Sequence, residues 1–337
     1  MPTIEREKLI GVLENVSPGL GTGKKDTNDQ FLSFVFTGDD VLTYNDEVFA
    51  SHPLDLPIQG AIRGNILLPF LEKLNGEEVD LDQDDTKLLV KSGRVESGIS
   101  MNPEFTIPIS SLSPPKEFHK IPDGFFEGLK FCQFSASKDM RKKALTCFHI
   151  TEKYMETCDN FRISRWKMKG WKGETLLPAR YLKPINDFPF TITKYGTKKG
   201  WIYFKGKGKA LIACRTESDK FPDLGKLLKV KGEKITLPKN LVESLDRVGL
   251  FTDEMDDSLY IQISVKGKTM ELNGENSFGW ITEKIPVKYK GGSINFDIEP
   301  TLLQEILSHS NEAVVGTTRM KFSDDSFEHI IILRVGE

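Results

Sequence analysis

One apolar triplet occurs three times at a fixed interval, and that spacing limits the chain to a small set of architectures. Leu9, Leu13 and Val16 recur 116 residues later as Phe125, Leu129 and Cys132, and 116 further on as Leu241, Leu245 and Val248. Each triplet is an i, i+4, i+7 stripe, the buried face of an amphipathic helix. A second ladder follows in the same order: Ile66, Leu71, Leu74, then Leu177, Leu182, Ile185, then Ile298, Leu303, Ile306. One supersecondary unit used three times in series builds an arc or a ring of equivalent modules.

Each repeat has one grammar. Helices are expected at 4–16, 122–134 and 238–250, with Pro122 and Pro238 near two of the starts, where a missing N–H costs nothing. Strands and polar turns follow, as in Phe31–Phe36, Ala144–Ile150 and Ser258–Ser264. A second helix is expected at 65–75, 178–187 and 299–309, and closing strands such as Lys87–Lys91 and Trp201–Phe204 end the unit. Two helices and about eight strands per repeat, segregated rather than alternating, predict an α+β fold of three domains, 1–116, 117–230 and 231–337.

The net charge of −3 hides a division. Lys plus Arg against Asp plus Glu counts 10 to 19 in residues 1–116, 24 to 12 in 117–230, and 12 to 18 in 231–337. The middle third is basic between two acidic neighbours, and Arg162 to Lys209 alone holds 13 basic residues against two acidic ones. Clustered Lys and Arg can replace phosphate counterions, or hold acidic neighbours docked; charge alone leaves both readings open.

Other chemistries find little support. Gly19-Leu-Gly-Thr-Gly23-Lys24-Lys25 is one residue short of a phosphate-binding loop and lacks its magnesium hydroxyl. The five histidines and four cysteines form no metal-ligand spacing, and no GxSxG turn is present, so no catalytic residue, metal or cofactor is expected. No apolar run is long enough to span a bilayer, and the thiols read as reduced, so a cytoplasmic protein without membrane partners is expected.

With three such units in this order, the chain resembles the bacterial sliding clamp, the beta subunit of DNA polymerase III. Thr157-Cys-Asp-Asn-Phe-Arg-Ile163 resembles the family's Ala-Thr-Asp-Gly-His-Arg-Leu turn, and Thr175-Leu-Leu-Pro-Ala-Arg180 its Ile-Ile-Pro-Arg-Lys segment. Phe221-Pro-Asp223 and Ser92-Gly-Arg94 match two further words. The resemblance implies a DNA clamp fold in which each domain sets two helices on antiparallel sheets. Three domains would make half of a closed ring, and a homodimer would encircle double-stranded DNA without reading sequence. Such a ring tethers a DNA polymerase for processivity and meets its clamp loader and partners through short hydrophobic peptides.

Residue by residue, the resemblance implies DNA contacts at Lys24, Lys25, Lys138, Arg141, Lys142 and Lys143. It implies a partner-peptide pocket walled by Cys158, Asn160, Phe161, Arg162, Ile163, Pro222, Lys226 and Leu227. Met320 or Phe322 and the strand Ile330, Ile331, Ile332 would complete that pocket, and Leu250 and Phe251 would hold the subunit edge. Asn160 and Phe161 replace the family's Gly-His and the usual C-terminal ending is altered, departures that suit a divergent phage or mobile-element member. Three other readings remain: a protein-docking ring that does not enclose DNA, an unrelated repeat-built structural protein, and an enzyme with a dispersed site.

Overall fold

A computed structural model describes residues 2–21, 23, 29–188, 191–206, 209–252 and 259–334. The first helix of every repeat is present: α1 at Arg6–Val16, α3 at Phe125–Cys132 and α5 at Leu241–Val248. The second helices are α2 at Gly64–Glu72, α4 at Leu182–Asp187 and α6 at Pro300–Leu307. All nine residues of the first triplet ladder are buried. Helices α3 and α5 are shorter than expected at both ends, whereas α1 starts two residues late and keeps its expected C-terminus. Phe125 N–H bonds to Pro122 O (3.2 Å) and Leu241 N–H to Pro238 O (3.1 Å), so each proline opens a turn ahead of the helix. Each C-terminus tightens into a 3₁₀ turn, Ser17–Gly19, Gln133–Ser135 and Gly249–Phe251.

The second ladder is correct in two repeats and slipped in the first. Ile66 is exposed, and the residues holding the buried positions are Ile62 and Leu67. Counted from Arg63 before α2, Pro178 before the 3₁₀ turn Ala179–Tyr181 that leads into α4, and Glu299 before α6, position +4 is Leu67, Leu182 and Leu303, and position −1 is Ile62, Leu177 and Ile298. The sequence ladder was four residues late. Four residues are close to one helical turn, so apolar still falls on apolar and the pattern does not betray the slip. Leu67→Ala is expected to cost about 2–5 kcal/mol of stability and Ile66→Ala under about 0.5 kcal/mol, as read by urea unfolding.

The chain divides into two compact units, Met1–Ile121 with Leu177–Ser218, and Pro122–Leu176 with Asp219–Glu337. The first unit is built on one antiparallel sheet of twelve strands. Its order is Thr3–Glu5, Glu78–Gln83, Lys87–Ser92, Val95–Asn102, Gln59–Arg63, Ser33–Thr37, Asp40–Tyr44, Val48–Pro53, Leu211–Arg215, Trp201–Gly206, Ile192–Lys198 and His119–Lys120. One face packs under α1 and α2 through Leu13, Val16, Phe34, Ile62, Leu67 and Leu71. The other carries a second core around Val35, Leu42, Tyr44, Phe49, Trp201 and Tyr203. Central strands such as Ser33–Thr37 are therefore buried on both faces, which is why they lack clean alternation.

The second unit has two antiparallel sheets. One runs Thr175–Pro178, Cys147–Ile150, Tyr154–Cys158, Arg162–Lys167, Phe327–Ile332, Arg319–Ser323, Glu312–Val315 and Glu233–Thr236. The other runs Gly279–Pro286, Thr269–Asn276, Ile261–Lys266 and Ile294–Ile298.

Each unit joins strands from two repeats by the same kind of ladder. In the first, Val48–Pro53 pairs with Leu211–Arg215, and Arg215 N–H donates to Glu47 O at 2.9 Å. In the second, Arg162–Lys167 pairs with Phe327–Ile332, and Ile332 N–H donates to Phe161 O at 2.8 Å. In both, the fourth strand of one repeat meets the eighth strand of the next. The third repeat's fourth strand, Gly279–Pro286, ends its sheet unpaired on one side. The first repeat's eighth strand, Val95–Asn102, meets a strand on that side only through Met101 and Asn102.

Candidate functional site

The turn joining Tyr154–Cys158 to Arg162–Lys167 is held by one carboxylate. Asp159 Oδ1 accepts from Phe161 N–H (2.7 Å) and Arg162 N–H (2.9 Å), and Oδ2 accepts from Arg162 Nε (3.0 Å). Arg162 also pairs with Glu305 and lies over the Phe134 ring, so its charge is spent on positioning. With the turn so fixed, Phe161 is held outward. Beside it, residues 224–228 coil on Leu227 N–H to Leu224 O (3.0 Å), and Arg319 Nη1 caps Leu227 O at 2.7 Å.

The result is a shallow apolar site. Its floor is Cys147, Cys158, Ile163, Leu176, Phe221, Leu224, Leu228 and Ile330, all buried. Its exposed rim is Phe161 (44 %), Leu227 (44 %) and Ile332 (46 %). Asn160, Pro222 and Lys226 are exposed around it. The predicted wall residues Met320, Phe322 and Ile331 are fully buried, so the structure gives them to the core beneath. Sequence reasoning missed Leu176, Leu224, Leu228 and Cys147, of which only the Leu224/Leu228 i, i+4 pair left a pattern. Burial pushes the Cys158 thiol up to about 12, with Glu156 and Asp159 adding to it, so this thiol is inert at neutral pH.

Two histidines under the site carry opposite pH signatures. Burial works against a charged His149, but its bonds to Glu156 (2.9 Å) and Glu174 (2.9 Å) together outweigh that and raise its pKa. Its stabilisation is complete below the unfolded histidine value and lost as pH rises through the raised one. His329 is wholly buried, and desolvation, then the Arg162 and His309 charges, depress it to about 3. The unfolded chain protonates this ring first, so its contribution is full above about pH 6.5 and lost as pH falls toward 3. The acid limb of urea unfolding is expected to flatten in His329→Phe by up to about 1.4 kcal/mol per pH unit. Parallel profiles for the two proteins would refute that assignment.

The basic loop lies next to the pocket turn. Lys138, Arg141, Lys142 and Lys143 are all exposed. Arg141 grips Asp139 through Nε (2.9 Å) and Nη2 (3.0 Å), a pair that holds the Asp139 carboxyl below the usual range. Lys142 Nζ reaches Asn160 Oδ1 at 2.8 Å, which ties the loop to the turn. Lys24 and Lys25 lie outside the described residues. Leu250 is exposed and Phe251 half-buried, its ring within reach of Gly279 at the start of the edge strand Gly279–Pro286. That strand and its approach carry two uncovered aromatics, Phe278 (88 % exposed) and Trp280 (72 %), which the sequence reading passed over.

Among the described residues, no group of three His, Cys, Asp or Glu side chains could hold a metal ion, and no helix is long and apolar enough to cross a membrane. No protein-family model and no curated protein matches the sequence. Solved structures do. The DNA polymerase III subunit beta of Pseudomonas aeruginosa superposes with TM-score 0.84 at 15 % identity, over 99 % of each chain. The DNA polymerase sliding clamp of Bacillus subtilis gives 0.84 at 14 %, again over 99 % of each chain. The DNA polymerase III beta subunit of Thermotoga maritima gives 0.81 at 16 %, over 99 % of each chain. The chain has the sliding-clamp fold. At these identities the backbone is retained while most side chains differ, so each site in this clamp fold rests on its own residues.

Proposed function

We propose that this chain is a DNA sliding clamp, three modules (1–116, 117–230 and 231–337) of which two copies close head to tail around duplex DNA. It acts in the cytoplasm as a processivity factor without an active site of its own. One observation carries the reading: a junction used twice within the chain leaves one mating edge over at each end of the repeat series. Repetition of a heterologous contact closes a ring when the rotation allows it.

The register supports this in detail. Phe49, Ile163 and Trp280 pair with Tyr44, Cys158 and Glu275 across equivalent four-residue turns. Arg215, Ile332 and Ser100 pair with the first residues of their preceding strands, Trp201, Arg319 and Lys87. The bonds Arg215–Glu47 and Ile332–Phe161 therefore predict Ser100 of a second copy opposite Phe278, and Gly98 opposite Trp280. Backbone parity agrees independently. Val287 N–H bonds to Lys268 O and Met101 N–H to Thr86 O, so Trp280, Thr282 and Lys284 point away from their ladder, as do Ser100, Gly98 and Glu96. Pro286 has the same outward parity, as a proline at a sheet edge should.

The basic middle module and the Lys138–Lys143 loop supply the phosphate-directed charge, and the Phe161–Leu227–Ile332 site supplies the anchor for short apolar peptides of a polymerase or loader. A second reading, a ring that docks proteins without enclosing DNA, is favoured by ion pairs that consume helix charge. Arg180 pairs with Glu47 (3.0 Å), Arg247 with Glu283 (2.6 Å) and Lys183 with Asp187. Retention on nicked circular plasmid and release on linearisation decide between them. Equal retention on both forms, or on neither, refutes topological tethering.

A further inference from the structure

The eight-stranded sheet ends on an unmated strand that borders a basic cleft. Glu233–Thr236 is the last strand of that sheet and, among the described residues, pairs on one side only, with Glu312–Val315. Leu237 N–H donates to Asn311 O (2.7 Å), which fixes the parity of the ladder. Bonded positions alternate in an antiparallel pair, so Glu233, Ile235 and Leu237 turn their backbone groups toward the partner strand. Lys234 and Thr236 therefore turn theirs outward. The cleft, of about 1140 Å³, is lined on one side by this strand and by Glu312–Val314, Lys321 and Ser323 of its neighbours, and on the other by Lys268 and Val287–Gly291. In that second wall Val287 and Tyr289 are buried while Lys288 and Lys290 are exposed.

The charge of the cleft is opposite to that of its surroundings. Residues 231–337 hold 12 basic and 18 acidic side chains, yet Lys234, Lys268, Lys288 and Lys290 all line this cleft and are exposed. Of its two carboxylates, Glu233 already accepts a bond from the Tyr289 hydroxyl at 3.3 Å. Gly291 packs closely there: a methyl group added to it would lie 2.1 Å from the Tyr289 oxygen.

We propose that this edge is a docking site for an extended acidic peptide. The peptide adds as one strand to Glu233–Thr236 and sets its carboxylates against Lys234, Lys268, Lys288 and Lys290. A polypeptide fits better than a nucleic acid because the edge presents both N–H and C=O groups. A peptide backbone answers both, whereas a phosphodiester answers only the donors. Four strand residues at roughly 3.3 Å each give a footprint of about four to six peptide residues. The site is separate from the Phe161–Leu227–Ile332 rim and does not depend on ring closure.

The test uses the full chain and a fluorescein-labelled hexapeptide of alternating valine and aspartate, followed by anisotropy. Saturable binding is expected, weakened by about tenfold or more in Lys288→Glu/Lys290→Glu, and likewise for a peptide with lysine in place of aspartate. Lys234→Pro removes one outward N–H and leaves the internal ladder intact, so it should also lose about tenfold while melting as the wild type does. The same peptide N-methylated throughout should lose binding as well, which keeps the test open should the proline variant fail to fold. Unchanged binding of the N-methylated peptide would reduce the site to surface charge and overturn strand addition. So would a wild type that ignores the acidic peptide, or a single-stranded oligonucleotide that displaces it at equal concentration.

Discussion

Thr282→Pro is expected to abolish self-association while leaving the chain folded. Its N–H points away from the ladder with Thr269–Asn276, whose bonds are made by Ile281 and Glu283 on the other parity. Among the described residues it gives up the bond from Thr282 Oγ1 to Asn273 Oδ1 (2.7 Å), exposed and worth about 1 kcal/mol. Gly98→Leu should do the same from the opposite edge. A Cβ at Gly98 meets the flexible Lys87 chain at 3.2 Å and, at ordinary contact distance, Leu89 Cδ2 at 3.7 Å within its own chain, but it would occupy the space that Trp280 of a second copy needs. Light scattering should give twice 38.1 kDa for the wild type and 38.1 kDa for either variant, with the dissociation constant raised by about a hundredfold or more. Mixing the two variants restores one good junction and not two. That mixture should recover the double mass and still fail to hold circular DNA. A mixture that holds it would show that enclosure is not the source of retention.

The second large effect concerns the apolar rim. Leu227→Ala and Phe161→Ala are expected to weaken a fluorescent peptide ending in Leu-Phe by about tenfold to a hundredfold. Both side chains are about half exposed, so the melting temperature should barely move. Phe322→Ala, in the fully buried layer beneath, is expected to cost about 3–5 kcal/mol of stability instead. Equal peptide binding by wild type and both rim variants would remove the pocket assignment.

The first triplet ladder was legible because a fixed interval and a helical period reinforce one another. The α2 register was not, because an amphipathic helix displaced by four residues presents almost the same face. Strand patterns such as Phe31–Phe36 were legible, and the hairpins that follow turn at Gly38 and Gly267, with positive φ values of 94° and 61°. They gave no hint that Val48–Pro53 meets Leu211–Arg215, since that choice depends on which edges remain open after local pairing. The pocket turn was legible as a motif, and with it Phe161, Leu227 and Ile332 of the rim; most of the floor, Cys147, Leu176, Leu224 and Leu228, was not, and neither was the split between buried and exposed wall residues. Ile331 and Ile332 are neighbours of identical composition, one fully buried and one exposed. Charge counts do not show which cations are already paired: Arg141, Arg180 and Arg247 each meet a carboxylate.

The ladders that cross the repeat seams also dictate where the polypeptide can be divided. A fragment cut at 116/117 and 230/231 keeps Leu211–Arg215 without its neighbour Val48–Pro53, and Arg162–Lys167 without Phe327–Ile332. Two raw margins of hydrogen-bonding groups would then face solvent, and the apolar one, Leu211-Ile-Ala-Cys214, would recruit further copies into insoluble stacks. The excised middle repeat is thus a poor candidate for a stand-alone scaffold, although it is the stretch that the triplication makes easiest to recognise.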